Sequence, residues 1–267
     1  MEATLLDTVR LRNQSARDGM ATPHLILVGY GITDSLQLTV EAQRVISRWG
    51  VVHALEVPPN LAAFLKSQRI RVRLLTGGFA PGQLLADSYL DIASKLLEET
   101  ARERPVVFLS PGHPMVFNSV GRYLAAESRR LGLSLAVVPA PSQLGLIIGG
   151  IGLDVSTFGL QVFDATRLVS RQVKINPLVP ALIMHAGTFQ QTSVGEDGAA
   201  LDMRPLVRHL EAFYPQDHPV AVVNLTREGM SLAQVAFRHL HEVAAQLTTG
   251  SHLFLDLVQT PTQGTPA

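Results

Sequence analysis

In the first half of the chain, short apolar runs alternate with stretches whose apolar positions recur every three or four residues. The runs at 24–28, 51–57, 72–75, 106–109 and 133–138 are rich in β-branched and aliphatic residues and have the length of buried strands. Between them, Leu38, Ala42, Val45, Ile46 and Trp49 fall on one helical face, as do Leu85, Tyr89, Ile92 and Leu96 within 84–101. Further helices are predicted at 61–66, at 118–131 and from Ser142 through Ile151. Asp34 or Ser35 could cap the first helix, and Gly50 and Gly132 stand where helices end. Alternation of this kind is the sequence form of a doubly wound, mainly parallel α/β sheet.

The second half changes spacing. Strands are expected at 161–164, 181–185, 220–225 and 252–257, and helices at 202–214 and 231–246. Residues 1–22 are weakly periodic around Leu5, Leu6, Val9 and Leu11, an accessory helix or a disordered lead. From residue 258 the chain is rich in Thr, Pro and Gly and reads as a disordered tail. The expected organisation is an extension (1–22), an N-terminal α/β domain (23–156), a C-terminal α/β domain (157–257) and a tail (258–267).

Charge and composition remove several classes. Lys plus Arg and Asp plus Glu both number 22, so no net basic field exists to hold a nucleic-acid backbone. The chain has no cysteine, which excludes disulfides, thiolate catalysis and Cys-type zinc sites. No apolar run is long enough to cross a bilayer, and the start lacks a signal-peptide core, so a soluble cytoplasmic protein is the expectation.

Candidate chemistry concentrates on 109–117, LSPGHPMVF, where a strand breaks and a helix begins. In open α/β sheets that place binds ligands. Gly112 admits a close backbone approach and Pro114 withholds a donor; the alternative is a stiff connector. Gly29-Tyr30-Gly31 also follows a strand but lacks the third glycine of a dinucleotide fingerprint, and Glu56 is followed by two prolines. A tight turn with backbone-amide contacts is the better reading. The nine histidines show no metal-ligand spacing, and no metal is expected: His209 stands alone on its helix, and His239 and His241 are two residues apart. Ser142 is not in a nucleophile elbow and reads as a helix cap. Tyr89 lies on an apolar stripe, as a core tyrosine with its hydroxyl at the rim. His113 and His185 each sit at the carboxyl end of a strand, where a ligand contact is expected.

These landmarks together resemble the tetrapyrrole methylase superfamily of S-adenosylmethionine-dependent methyltransferases. The likeness lies in LILVGYG (25–31), LTVEA (38–42), PGHPMVF (111–117) and PAPSQLG (139–145). His113 in the Gly112-His113-Pro114 turn is similar to the borosin branch, which N-methylates backbone amides of a precursor peptide. Segments 151–154, 161–166 and 213–219 add to that likeness, which covers about residues 24–257. The resemblance implies two α/β domains with the cofactor in the cleft between them, usually in a homodimer. It implies cofactor contacts from Gly112, His113, Val116, Phe117, Ser142, Gln143, His185, Ala186, Leu225 and Thr226, and S-adenosylhomocysteine as product. Tyr89 falls at a catalytic tyrosine position of the branch, and the implied partner is a peptide precursor in natural-product biosynthesis.

The chain departs from that branch in its Arg and Tyr cluster. Leu85 stands at the arginine position, 71–83 holds no tyrosine, and Pro111 replaces a family tyrosine. A backbone amide is a poor nucleophile until its proton is removed or its oxygen is polarised. Two alternatives therefore stand beside peptide N-methylation. One is methylation of a small-molecule or tetrapyrrole acceptor on the same fold, and the other a catalytically silent cofactor-binding scaffold. The absence of basic residues around Gly77-Gly78-Phe79 argues against an acid-rich tetrapyrrole.

Overall fold

The five apolar runs of the first half become strands β1 (Leu25–Gly29), β2 (Val51–Ala54), β3 (Arg71–Leu74), β4 (Val106–Ser110) and β5 (Leu135–Val138). They are seen in a computed structural model that describes residues 22–32, 37–75, 82–193, 202–225 and 234–258. All five run parallel in the order β3–β2–β4–β1–β5. The connecting helices are α1 (Val40–Trp49), α2 (Pro59–Ser67), α3 (Leu85–Glu99) and α4 (Ser119–Arg130).

The two faces of this sheet explain the apolar runs. Leu25, Leu27, Val106 and Phe108 pack against Ile92, Leu96 and Leu124 of α3 and α4. Ile26, Val28, Val107 and Leu109 pack against Ala42, Ile46, Leu61 and Leu65 of α1 and α2. A strand covered on both faces has no polar side, so β1 and β4 read as unbroken apolar sequence. The edge strand β3 is exposed throughout and carries Arg71 and Arg73, charges that discourage edge-to-edge pairing. Thr39, not Asp34 or Ser35, caps α1, accepting from the Ala42 amide at 3.1 Å; positions 34 and 35 lie outside the described residues. Gly50 closes that helix at φ 68°, as its position after Trp49 predicts.

The chain falls into two compact units, one running to Gly145 and including Ser193, the other beginning at Leu146. The second unit carries β6 (Gln161–Asp164), β7 (Ala181–Met184), β8 (Pro219–Asn224), β9 (Gln234–His239) and β10 (Ser251–Leu255), in the order β6–β7–β10–β8–β9. Only β6 and β7 are parallel; the other neighbours are antiparallel. Four helices complete the order: α5 (Gln143–Ile151), α6 (Val155–Phe158), α7 (Ala165–Ser170) and α8 (Arg204–Glu211). Leu206 and Leu210 of α8 join Phe189, Tyr214, Ile183, Val222 and Leu253 in one core.

Two expectations are corrected here. Of the helix predicted over 231–246, residues 234–246 are instead β9 followed by a 3-10 turn, Leu240–Gln246, and 231–233 lie outside the described residues. All six residues of β9 pair with β8, whose outer edge would otherwise leave backbone groups unbonded. That long-range partner outweighs a local helical period. Val258, read as the start of a disordered tail, donates its amide to the Pro177 carbonyl at 2.7 Å and packs on the second core. The rest of the tail and all but Thr22 of the 1–22 extension lie outside the described residues. Among the described residues no helix is long and apolar enough to cross a membrane.

Candidate functional site

In the N-terminal unit the loops after β1, β4 and β5 meet at one glycine. A Cβ on Gly29 would collide with the Gly112 carbonyl oxygen and approach the Ala140 Cβ to 2.7 Å and the Pro114 Cδ to 3.0 Å. The β1–β4 pairing continues into the loops: Tyr30 donates to the Ser110 carbonyl at 3.0 Å and Gly112 to the Gly31 carbonyl at 2.8 Å. Gly112 sits at φ 61°, and a Cβ there would lie 2.9 Å from the Ile32 Cδ1. Only glycine meets both conditions without strain.

The 111–117 turn is braced from both ends. Asn118 caps α4, its Oδ1 accepting from the Gly121 amide at 2.9 Å while its Nδ2 donates to the buried Ser110 hydroxyl at 2.6 Å. The His113 Nδ1 accepts from the Met115 amide at 3.0 Å, which places the proton of a neutral ring on Nε2. Val116 is half-buried. Phe117 holds φ 52° and is 40 % exposed, a conformation costly for a bulky residue and concentrated at binding sites. Ser142 does what a cap does, accepting from the Gly145 amide at 3.2 Å; both it and Gln143 are half-buried beside the Ala140 contact.

Tyr89 lies on α3, half-buried against the core that contains Ile92 and Phe108. Burial pushes its phenol above the ordinary value, so the hydroxyl is neutral and donates rather than takes a proton.

In the second unit a polar chain spans three strand ends. Asp164 closes β6 and caps α7, its Oδ1 accepting from the Arg167 amide at 3.0 Å. The Asp164 Oδ2 lies 3.1 Å from the His185 Nδ1. His185, just past β7, is left-handed at φ 58°, and its amide donates to the His252 Nδ1 at 3.0 Å. Burial works to raise the Asp164 carboxyl, but the His185 and Arg167 contacts outweigh it and hold the group below its usual range. His185 therefore donates through Nδ1 to a carboxylate. His252 is buried, and that burial, helped by the positive charge available to His185, pushes it down to about 4.

The other sites named from the sequence fall as follows. The Ala186 side chain is wholly inside the second core, so only its backbone can meet a ligand. Leu225 is half-buried just beyond β8, and Thr226 lies outside the described residues. The 213–219 stretch serves the fold: His218 Nε2 bonds the Asp256 carbonyl at 3.0 Å, and Leu240 and His241 bond back to residues 218 and 216. Ser110, Asn118, Asp164 and His252 were not singled out in the sequence. Asn118 and Asp164 left a readable signal, a capping residue at a strand-to-helix junction; nothing local marks His252, whose partner is 67 residues away.

Replacing Asp164 by alanine removes a cap and a charged hydrogen bond, and the expected loss is about 2 kcal/mol in urea unfolding. Asp164→Asn keeps the cap and should lose roughly half as much. A free-energy change near zero for the alanine variant would dismiss this network as a stabilising feature.

A parallel, doubly wound unit with a glycine-lined turn at the carboxyl ends of its strands is the framework of a small-ligand-binding α/β protein. The chain belongs to the tetrapyrrole (corrin/porphyrin) methylase family, matched over residues 24–236. Among its curated relatives is a methyltransferase/ribosomally synthesized type II borosin cyclic peptide precursor of Phlebiopsis gigantea, 22% identical over 247 residues, or 90% of this chain and 44% of the relative. A type I borosin counterpart from Mycena rosella is 26% identical over 240 residues, covering 86% and 59%. The chain thus spans about half the length of these relatives. They agree with the borosin likeness found in the sequence. In fold the chain is similar to uroporphyrin-III-C-methyltransferase from Thermus thermophilus, at TM-score 0.60 and 19% identity over 88% of this chain and 92% of that one. The same enzyme complexed with S-adenosylhomocysteine matches at TM-score 0.56, 19% identity, 87% and 92% coverage.

Proposed function

We propose that the chain is an S-adenosylmethionine-dependent methyltransferase that N-methylates a peptide substrate. The observation that carries this reading is the meeting of three loops at Gly29, with Gly112 left-handed beside it. There the main chains of three loops converge with only small side-chain atoms of Ala140 and Pro114 between them, an arrangement that suits a ligand held by close main-chain contact. Gly112, His113, Val116, Phe117, Ser142 and Gln143 would hold the cofactor in the first unit, and His185, Ala186, Leu225 and Thr226 in the second. When bound, the cofactor supplies a methyl group already activated on a sulfonium. This chain's own residues have the remaining tasks of positioning the acceptor, excluding water and managing its proton. His113 can donate from Nε2. Tyr89, neutral through burial, suits donation to an acceptor carbonyl oxygen, which draws electron density from the amide and makes its N–H more acidic. On this reading the protein works in the cytoplasm as a homodimer.

Calorimetry with S-adenosylmethionine and S-adenosylhomocysteine, followed by mass spectrometry of candidate peptides, tests the proposal. Expected are binding of both compounds and a peptide mass increase of one methylene per transfer. Cofactor binding without methyl transfer to any acceptor would instead support the silent cofactor-binding scaffold, and absence of cofactor affinity would overturn the proposal. Tyr89→Phe should lower turnover about a hundredfold, the usual effect of losing one oxyanion donor; unchanged turnover removes Tyr89 from the mechanism.

One feature favours a second reading. Leu85, half-buried in the first turn of α3, stands where the branch has an arginine, so one cationic group for polarising an amide is missing. A small-molecule acceptor whose proton leaves more readily needs less such help. Methyl transfer to such a compound, with none to peptides, would favour this alternative.

A further inference from the structure

Away from the glycine-lined turn, the N-terminal unit has an open hollow of about 660 Å³ lined in part by His53, Arg73, Lys95, Glu99 and Arg102. His53 is the third residue of β2, in register with Phe108 of β4 and Arg73 of β3. It is 2 % exposed, and neither ring nitrogen makes a hydrogen bond of standard geometry with a described residue. A buried polar group in that state is destabilising, and such groups in native proteins usually have a partner.

What faces the ring is a pair of carboxylates. Glu99 ends α3, and the chain makes a further helical turn, with the Glu103 amide donating to the Glu99 carbonyl at 2.9 Å. Four residues apart on such a turn, the two side chains project to the same side. One nitrogen of His53 and one oxygen from each glutamate lie within 4.8 Å of one another. The His53 Nε2 is 3.4 Å from the Glu103 Oε1, long for a hydrogen bond. It matches the edge of a tetrahedron of ligands around zinc, about 3.3 Å for metal–ligand bonds of about 2.0 Å. At present the carboxylates are balanced by arginines. Arg73 lies 2.9 Å from the Glu103 Oε1 and 3.8 Å from the Glu99 Oε2, and Arg102 lies 2.6 Å from the Glu99 Oε1. Both guanidinium groups are substantially exposed and can swing into solvent.

We propose that His53, Glu99 and Glu103 form a binding site for a divalent transition metal of the zinc type, which displaces the Arg73 guanidinium. One imidazole and two carboxylates are an ordinary donor set for zinc, and three protein ligands leave a position for water. The bound cation joins β2 to the end of α3, the helix that carries Tyr89. It lies outside the glycine-lined turn and does not depend on what that turn binds.

The experiment is titration of zinc chloride into the untagged full chain, by calorimetry and by thermal unfolding, with magnesium chloride as the control. One zinc per chain and a rise in Tm are expected, with no response to magnesium. Glu103→Gln and Glu99→Gln, changes at half-buried positions that keep the side-chain shape, should each weaken zinc at least tenfold while circular dichroism stays unchanged. Arg73→Met should tighten it, because the competing cation is gone. Zinc affinity that is unchanged in Glu103→Gln, or that is lost only in His241→Gln, overturns the proposal. The second result would place the metal on the exposed His239–His241 pair, whose rings stack at 5.8 Å. Failure of the wild-type chain to bind zinc stoichiometrically, or an Arg73→Met variant no tighter than wild type, also overturns it.

Discussion

Gly29→Ala is expected to lower Tm by about 5 °C and to weaken binding of S-adenosylmethionine at least tenfold. The added methyl would meet the Gly112 carbonyl oxygen, the Ala140 Cβ and the Pro114 Cδ together. Two of these belong to the 111–117 turn and the third to the loop before Ser142, so no single side chain can move aside. Overpacking of this kind costs about 1–3 kcal/mol, and for a chain of this size each kcal/mol moves Tm by roughly 2–4 °C. The loops must part, and their backbone groups would no longer converge. Gly50→Ala is the informative control. Its φ is 68°, but a Cβ there meets nothing within 4 Å, so only the backbone penalty of about 1 kcal/mol applies and ligand binding should be unaffected. Equal effects in the two variants would mean that Gly29 matters only as a strand residue.

A second large effect is expected from acid. His252 is buried and held down to about 4, whereas an unfolded histidine titrates near about 6.5. Between those values the unfolded chain binds a proton that the folded chain refuses. Stability contributed by this group is complete above about pH 6.5 and declines as the pH falls toward 4, by up to about 3 kcal/mol. Protonation also removes the lone pair that accepts the His185 amide, so the His185 turn should loosen along with the fold. Asp164 acts in the same direction at lower pH. Its folded value is depressed, so its contribution is present above about pH 4, the ordinary carboxylate value, and is lost below it. Urea midpoints measured between pH 7.5 and 4 test this. His252→Asn, whose amide oxygen can stand near the Nδ1 position, should flatten the profile above pH 4. A wild-type midpoint that does not fall between pH 6.5 and 4 would show that His252 stays accessible to protons.

The exposed edge β3 and the buried pair β1 and β4 show how far local pattern reaches. Covered faces require apolar residues at every position, and Leu25–Gly29 and Val106–Ser110 are buried along their whole length. Their identity as strands, and the turn that follows each, could be read directly. Gly112 could be named from its place in a turn between strand and helix, where close backbone approach favours glycine, and its φ of 61° agrees with that choice. The helix expected over 231–246 had no such protection. Its residues are compatible with either state, and β8 decided between them by supplying six backbone partners.

By itself, the sequence determined the alternating strand and helix order of the first unit, the breaks at Gly29–Gly31 and 111–117, and the methylase likeness of both. Each depends on residue type at one place or on a short period, so it survives without knowledge of distant neighbours. The tertiary structure alone decided that three loops close on Gly29, that Asp164, His185 and His252 form one chain, and that His53 faces Glu99 and Glu103. Those groups lie up to 111 positions apart, Gly29 to Ala140 being the widest pair. Only the pairing of strands brings them within reach, and that pairing is set by the burial of whole faces rather than by the residues that meet there.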